Sequence, residues 1–256
     1  MIKNKDQSTA YDLDYAQLYD VLTLHKDYVA EVGYLERRIL SKVSTHSLRI
    51  LSIGCGTGSH ESILSGAHQI TGIDTSLAMI TLARRKNNSG EIQYLHKDIS
   101  DFDQNGYDVA LSLFNVVNCL NSIEDLILFF SNISKSLKPK GVFFFECWNG
   151  ITCMLNPPIV VERNFDLKGF KRTAIPQLDS TRQKLSITYQ ITGNLDGQLG
   201  SIESVHNITL FTQMEIEFAL VNAGFTVTGL YTDLANGLLA VSEEDRMISF
   251  FCQKAE

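Results

Sequence analysis

The sequence predicts an α/β protein: a doubly wound, seven-stranded sheet with a small antiparallel β insertion and an N-terminal helical cover. Three observations carry this reading. Strand-length apolar runs alternate with helical patterns between residues 49 and 148, which implies parallel strands joined by crossover helices. The chain then turns strand-rich, and the change coincides with three of its four prolines, at 157, 158 and 176. A last helical pattern and two closing apolar runs complete the sheet.

Taken in order, residues 13–22 and 28–40 carry helical patterns. The first strand spans 49–54, and a helix begins near Thr57. Further strands are expected over 69–74, 92–96, 107–113 and 142–148, with a helix over 76–86. The helix after the fourth strand has Ser122 as its cap, Asp125 at the capping-box position, and Pro139 with Gly141 to stop it. Its residues Ile123, Leu126, Ile127, Phe130, Ile133 and Leu137 recur at three- and four-residue steps and form one core-facing stripe. In the insertion, 159–161, 170–173, 184–192 and 202–211 are strand candidates, and Asn194-Leu195-Asp196-Gly197 turns the last pair into a hairpin. A helix over 212–223, closed by Gly224, precedes final strands over 225–231 and 247–253. The expected division is a cover over 1–44, a core over 45–149, the insertion over 150–211 and completion of the core sheet over 212–256.

Composition narrows the function. A chain of 256 residues with 44% apolar and 20% charged residues is one globular unit. Its apolar runs fall far short of the ~20 residues a bilayer crossing needs, and the opening MIKNKDQSTAYD has no apolar signal core. No membrane association and a cytoplasmic location are expected. The 22 basic and 29 acidic residues leave a net charge of −7 with no cationic stripe, which argues against a nucleic-acid partner. The five cysteines, Cys55, Cys119, Cys147, Cys153 and Cys252, have no C-x-x-C spacing. They read as reduced, buried thiols with no metal site.

The informative segment is Gly54-Cys55-Gly56-Thr57-Gly58, between a strand and a helix. Glycines there let the chain turn tightly and approach a ligand without a Cβ in the way, and backbone N–H groups at the helix start favour an anionic group. Asp74 closes the next strand twenty residues after Gly54, where a carboxylate can accept hydrogen bonds from ribose hydroxyls. Together they specify a nucleoside-bearing ligand. A dinucleotide fingerprint would need glycine where Ser59 stands.

With Lys97-Asp98-Ile99, Tyr107-Asp108-Val109 and Leu137-Lys138-Pro139-Lys140-Gly141 following in order, residues 45–148 resemble the class I S-adenosylmethionine-dependent methyltransferases. That resemblance implies a Rossmann-like core with S-adenosyl-L-methionine as cofactor. Gly54, Gly56 and Gly58 would lie beneath its methionine part, Asp74 would hold the ribose diol, and Asp98 would accept from the adenine amino group. Thr75, Met79 and Ile99 would pack on the ring, with Leu113, Phe114 and Asn115 facing the sulfonium. The flanking Tyr15-Ala16-Gln17-Leu18-Tyr19-Asp20, Lys26-Asp27-Tyr28, Glu146-Cys147-Trp148 and Ile208-Thr209-Leu210-Phe211 resemble the bacterial nucleotide-linked aminosugar N-methyltransferases. In those enzymes the insertion builds the sugar-nucleotide pocket and N-terminal helices cover the cofactor.

On this reading the acceptor is the amine or hydroxyl of a small molecule, foremost a nucleotide-activated sugar. Tyr19 and Tyr28 close over the cofactor, Asn115, Trp148 and His206 meet the substrate, and His25 and His206 are the base candidates. The chain departs from that family in a shorter stretch between Asp20 and Lys26 and in Asn118-Cys119, where the family has a histidine. Another small metabolite as acceptor, a nicotinamide oxidoreductase and a non-catalytic cofactor-binding protein stay as alternatives; a homodimer is allowed.

Overall fold

The computed structural model describes residue 11 and residues 13–43, 47–87, 90–165, 169–195 and 198–256. The N-terminal decapeptide and turn residues 196 and 197 lie outside them. Two helices, α1 (Leu13–Leu22) and α2 (Tyr28–Leu40), precede the alternating segment β1 (Arg49–Ile53), α3 (Ser59–Leu64), β2 (Gln69–Asp74), α4 (Leu77–Lys86), β3 (Ile92–His96), β4 (Tyr107–Ser112), α5 (Ile123–Ser136) and β5 (Leu137–Trp148). A short α6 (Gly150–Leu155) leads into β6 (Val161–Phe165), β7 (Phe170–Asp179), β8 (Lys184–Leu195) and β9 (Gln198–Thr209). The chain ends with α7 (Gln213–Asn222), β10 (Phe225–Thr232) and β11 (Met247–Lys254).

The alternation does produce a doubly wound sheet of seven strands, in the order β10-β11-β5-β4-β1-β2-β3. Strands β1 to β5 pair in parallel, and β11 runs antiparallel between β5 and β10. Both faces are covered, which is why β5 is apolar without a break from Val142 to Phe145. Phe143 and Phe145 join the cluster that α5 and α7 close with Phe130, Ile133, Ile216 and Leu220. Phe144 points the other way, among Leu35, Ile39, Ile80 and Phe251. Strands β6 to β9 form a separate four-stranded antiparallel sheet.

Several boundaries differ from expectation for local reasons. The helix after the glycine segment starts at Ser59, because Gly58 is its cap with φ +76°. Strand β5 starts five residues early, at Leu137, since a left-handed Lys140 (φ +61°) bends the chain and shifts the register against β4. Asp125 accepts from Asn121 N–H at 3.3 Å, so its carboxylate reaches one residue past the Ser122 cap. In the second sheet Ile159 and Val160 stay exposed and the strand begins at Val161. Strand β9 ends at Thr209, and Leu210 and Phe211 are buried on the way to α7. Pro176 lies beyond the stretch of β7 that pairs with β6, where its missing N–H costs no ladder bond.

Phe145 is fully buried, stacked on Phe250 at 4.9 Å and Phe143 at 4.8 Å. Phe145→Ala is expected to lower the unfolding free energy by about 3–5 kcal/mol in urea denaturation; a loss under about 1 kcal/mol would mean this stack is not part of the stabilising core.

Candidate active site

The first bend of the site is built by glycine. Gly54, Gly56 and Gly58 all have positive φ, at +70°, +56° and +76°. The N–H groups of Gly54 and Cys55 both donate to the Ile73 carbonyl, at 2.8 and 3.1 Å, tying the bend to the end of β2. A Cβ on Gly54 would collide with Val116, and one on Gly58 with the Tyr94 hydroxyl. A Cβ on Gly56 would have nothing within 4 Å. Gly56 is therefore the member that leaves the backbone open to the cleft. Asp74 accepts from Gly56 N–H at 2.9 Å and from Ser76 N–H at 2.8 Å. Burial raises its pKa against these bonds.

Two adjoining cavities follow from this bend. One, about 440 Å³, has Asp74, Thr75, Asp98 and Ile99 in its wall. The other, about 210 Å³, is lined by Tyr19, Gly54, Gly56, Asp74, Thr75, Met79, Leu113, Phe114 and His206, together with Tyr11. The chain thus brings most of the expected cofactor residues to one cleft at the carboxyl ends of β1, β2 and β4. An open backbone at Gly56, a carboxylate beside it and a second carboxylate further along fit an adenosyl group with an amino-acid tail.

Three expected residues lie elsewhere. Gly58 is turned under Tyr94. Tyr28 packs edge-on against His60 at 4.8 Å and lines none of these cavities. Trp148 lines none of them either; it packs against the apolar group of Cys153, Leu185, Ile187 and Ile208, and its N–H donates to Asn118 at 2.8 Å.

A third cavity, about 550 Å³, lies across Phe114 and is walled by His25, Lys26, Glu31, Asn115, Glu146 and Asp233. Phe114 and Asn115 are consecutive left-handed residues, at φ +65° and +66°, a conformation bulky side chains rarely adopt. Glu146, buried, holds them: it accepts from Phe114 N–H at 3.3 Å and from Leu234 N–H at 2.8 Å. Burial pushes its carboxyl pKa up. Glu31 pairs with His60 at 2.8 Å and Lys26 at 3.2 Å. Burial would raise the Glu31 pKa, but these two partners outweigh it and leave it lowered. Lys26 sits 3.8 Å above the Phe114 ring. Sequence reasoning missed Glu31, Asp233 and the role of Glu146, although a carboxylate inside the run Phe143-Phe144-Phe145-Glu146-Cys147 was a signal of function.

Helix α1 closes the cleft. Asp20 accepts from Thr57 at 2.5 Å and from Lys86 at 2.9 Å, and Lys86 also reaches Ser59 at 2.8 Å. Near the start of that helix the Tyr11 carbonyl accepts from Ser76 at 2.9 Å. Tyr11 and Tyr15, with Tyr189 from β8, surround His206, each ring 4.9 Å away. Burial, reinforced by Arg172, pushes the His206 pKa down to about 4.

Among the described residues no cluster of three or more His, Cys, Asp or Glu could hold a metal ion, and no helix is long and apolar enough to cross a membrane. Residues 51–145 match the family model "Methyltransferase domain". The chain is 28% identical over 225 residues, 85% of its length and 92% of the relative's, to the dTDP-3-amino-3,4,6-trideoxy-alpha-D-glucopyranose N,N-dimethyltransferase of Streptomyces venezuelae. Its fold is similar to an S-adenosylmethionine-dependent methyltransferase from Clostridium acetobutylicum, with TM-score 0.82, 17% identity and coverage of 95% and 98% of the two chains. An amino pentose methyltransferase from Micromonospora echinaspora shares the fold at TM-score 0.75 and 20% identity, over 97% of this chain and 100% of the other.

His206 stays neutral in the folded chain down to about pH 4, whereas in the unfolded chain it gains a proton near pH 6.5. Stability should therefore fall as pH drops from about 6.5 to about 4, by at most about 3 kcal/mol from this group. The slope of unfolding free energy against pH in that window should be shallower in His206→Gln; equal slopes would remove His206 as the cause. A bend shaped for an adenosyl group lies within the stretch that matches the methyltransferase domain, and the chain is an S-adenosylmethionine-dependent methyltransferase.

Proposed function

We propose that this methyltransferase acts in the cytoplasm on the amine of a nucleotide-activated amino sugar. The observation that carries the proposal is the 550 Å³ cavity, which shares Phe114 with the cofactor cleft and has Glu31, Glu146 and Asp233 in its wall. Carboxylates in a partly enclosed space attract an ammonium group far more than they would in water. The aminosugar acceptor named for the Streptomyces relative supports the same choice.

The bound cofactor supplies an electrophilic methyl group, and the chain's own residues position and shield it. Asp74 accepts from ribose hydroxyls, Asp98 from the adenine amino group, and Thr75, Met79 and Ile99 pack on the base. Tyr11 and Tyr19, held down by the Asp20 contacts, exclude water; Tyr28 keeps the turn before α2 against His60. Transfer is an in-line displacement, so holding donor and acceptor in contact accounts for most of the rate. The nitrogen must first give up its ammonium proton. His25, in the acceptor cavity, takes it; burial and then the positive charges of Arg163, Arg172 and Lys26 lower its pKa and keep its imidazole neutral before transfer. The buried Asn115 Oδ1 has no hydrogen-bond partner among the described residues and accepts from the remaining N–H, aiming the lone pair. His206, with its low pKa, is a neutral wall and hydrogen-bond acceptor rather than the base.

Incubation with labelled S-adenosylmethionine and a panel of aminosugar nucleotides, free amino sugars and hydroxylated analogues tests the acceptor. Methylation of aminosugar nucleotides is the expected result, and turnover confined to acceptors without an amine would overturn it. Asp74→Ala should weaken S-adenosylmethionine binding about 10- to 100-fold in titration calorimetry, as loss of a charge-assisted hydrogen bond requires. Unchanged affinity would remove Asp74 from the ribose contact.

A further inference from the structure

Strands β6 and β7 pair so that Arg163 stands directly opposite Arg172. Directly opposed residues of an antiparallel pair share a face with Cβ atoms about 4.5–5.5 Å apart, and like charges so placed are destabilising. Neither arginine is in an ion pair among the described residues. The opposite face is balanced in the ordinary way, with Lys171 on Glu162 at 2.8 Å.

The two arginines lie on the sheet face turned towards α1, which Tyr189, Ile191 and Ile202 share. Arg172 is fixed there by the Tyr189 and Phe165 rings, 5.2 and 6.0 Å from its guanidinium. Its Nε is buried and has no hydrogen-bond partner among the described residues, a donor that an anion would satisfy. Both arginines, with Lys26, are close enough to His25 to disfavour its protonation after burial itself has done so. His25 and Lys26 belong in turn to the wall of the 550 Å³ cavity. Arg172 also reaches the cofactor cleft through Tyr189, whose ring is 4.9 Å from His206, whereas Lys26 is already paired with Glu31 at 3.2 Å.

We propose that Arg163 and Arg172 form an oxyanion subsite that binds the diphosphate of the nucleotide-linked acceptor. The inference rests on the acceptor reading above and adds the part of the molecule it left unassigned. Planar guanidinium groups bind phosphate oxygens two at a time, and an anion between the arginines turns their repulsion into attraction. A ligand negative at one end and ammonium-bearing at the other matches the arginine pair on one side and the wall of Glu31, Glu146 and Asp233 on the other, with its amine directed at Phe114 and Asn115.

Titration calorimetry on the full chain with inorganic pyrophosphate, inorganic phosphate and thymidine or uridine diphosphate tests this, with S-adenosylhomocysteine binding as the check on folding. Arg163→Gln alters an exposed side chain, and Arg172→Lys keeps charge and stem while losing the planar fork. The diphosphates should bind the unaltered protein more tightly than phosphate, and each variant should weaken them about 10-fold with S-adenosylhomocysteine affinity unchanged. Absence of diphosphate binding, or diphosphate affinity in both variants equal to that of the unaltered protein, would overturn the subsite. Methylation of aminosugar nucleotides with unchanged KM in Arg163→Gln would also overturn it and leave the acceptor reading standing. Arginine-dependent diphosphate binding without any methylation of aminosugar nucleotides would keep the subsite and overturn that reading.

Discussion

The site depends on one carboxylate buried among phenylalanines. Two consecutive left-handed residues, one of them phenylalanine, cost roughly 1–3 kcal/mol each. The bend at Phe114 and Asn115 persists because Glu146 takes a backbone N–H from Phe114 while fixing Leu234 with its other oxygen. A hydrogen bond to such a group contributes about 0.5–3 kcal/mol, comparable with the strain at Phe114. The result is a phenyl ring in a T-shaped contact with Tyr19 at 6.4 Å on the cofactor side and under Lys26 on the acceptor side. The partition between the two cavities is thus a consequence of where β5 places its single acid.

The same economy governs the cover. Helix α1 is short, and its apolar side meets Ile191 and Tyr189 of the second sheet. What sets it over the cleft is polar: Asp20 joins Thr57 of the glycine bend and Lys86 at the end of α4. The Asp20–Lys86 pair is half-exposed, where single ion pairs contribute little to stability, whereas Thr57 is buried beneath the helix.

Much of the sheet was legible in the sequence because alternation of apolar runs with amphipathic helices is a local property. The glycine bend and Asp74 were legible for the same reason, since strand, turn and next strand are adjacent in the chain. The acceptor side was not. Glu31 reaches His60 across 29 residues, and the Arg163–Arg172 opposition exists only once the register of two strands is known. Tyr28 was expected to close over the cofactor and Trp148 to give the substrate a platform. In the fold each finds an apolar or aromatic neighbour instead, and composition could not distinguish the two uses.

Strand β5 alternates its side chains between the two halves of the core: Phe143, Phe145 and Cys147 to one, Phe144 and Glu146 towards the other. A slip of one residue in its pairing would exchange the two sets. It would strand the Glu146 carboxylate among the stacked phenylalanines and leave a thiol facing the Phe114 and Leu234 amides. Packing and chemistry on this strand are therefore one variable. A sequence change that preserves its hydrophobicity while shifting its phase would abolish the partition between donor and acceptor before it abolished the sheet.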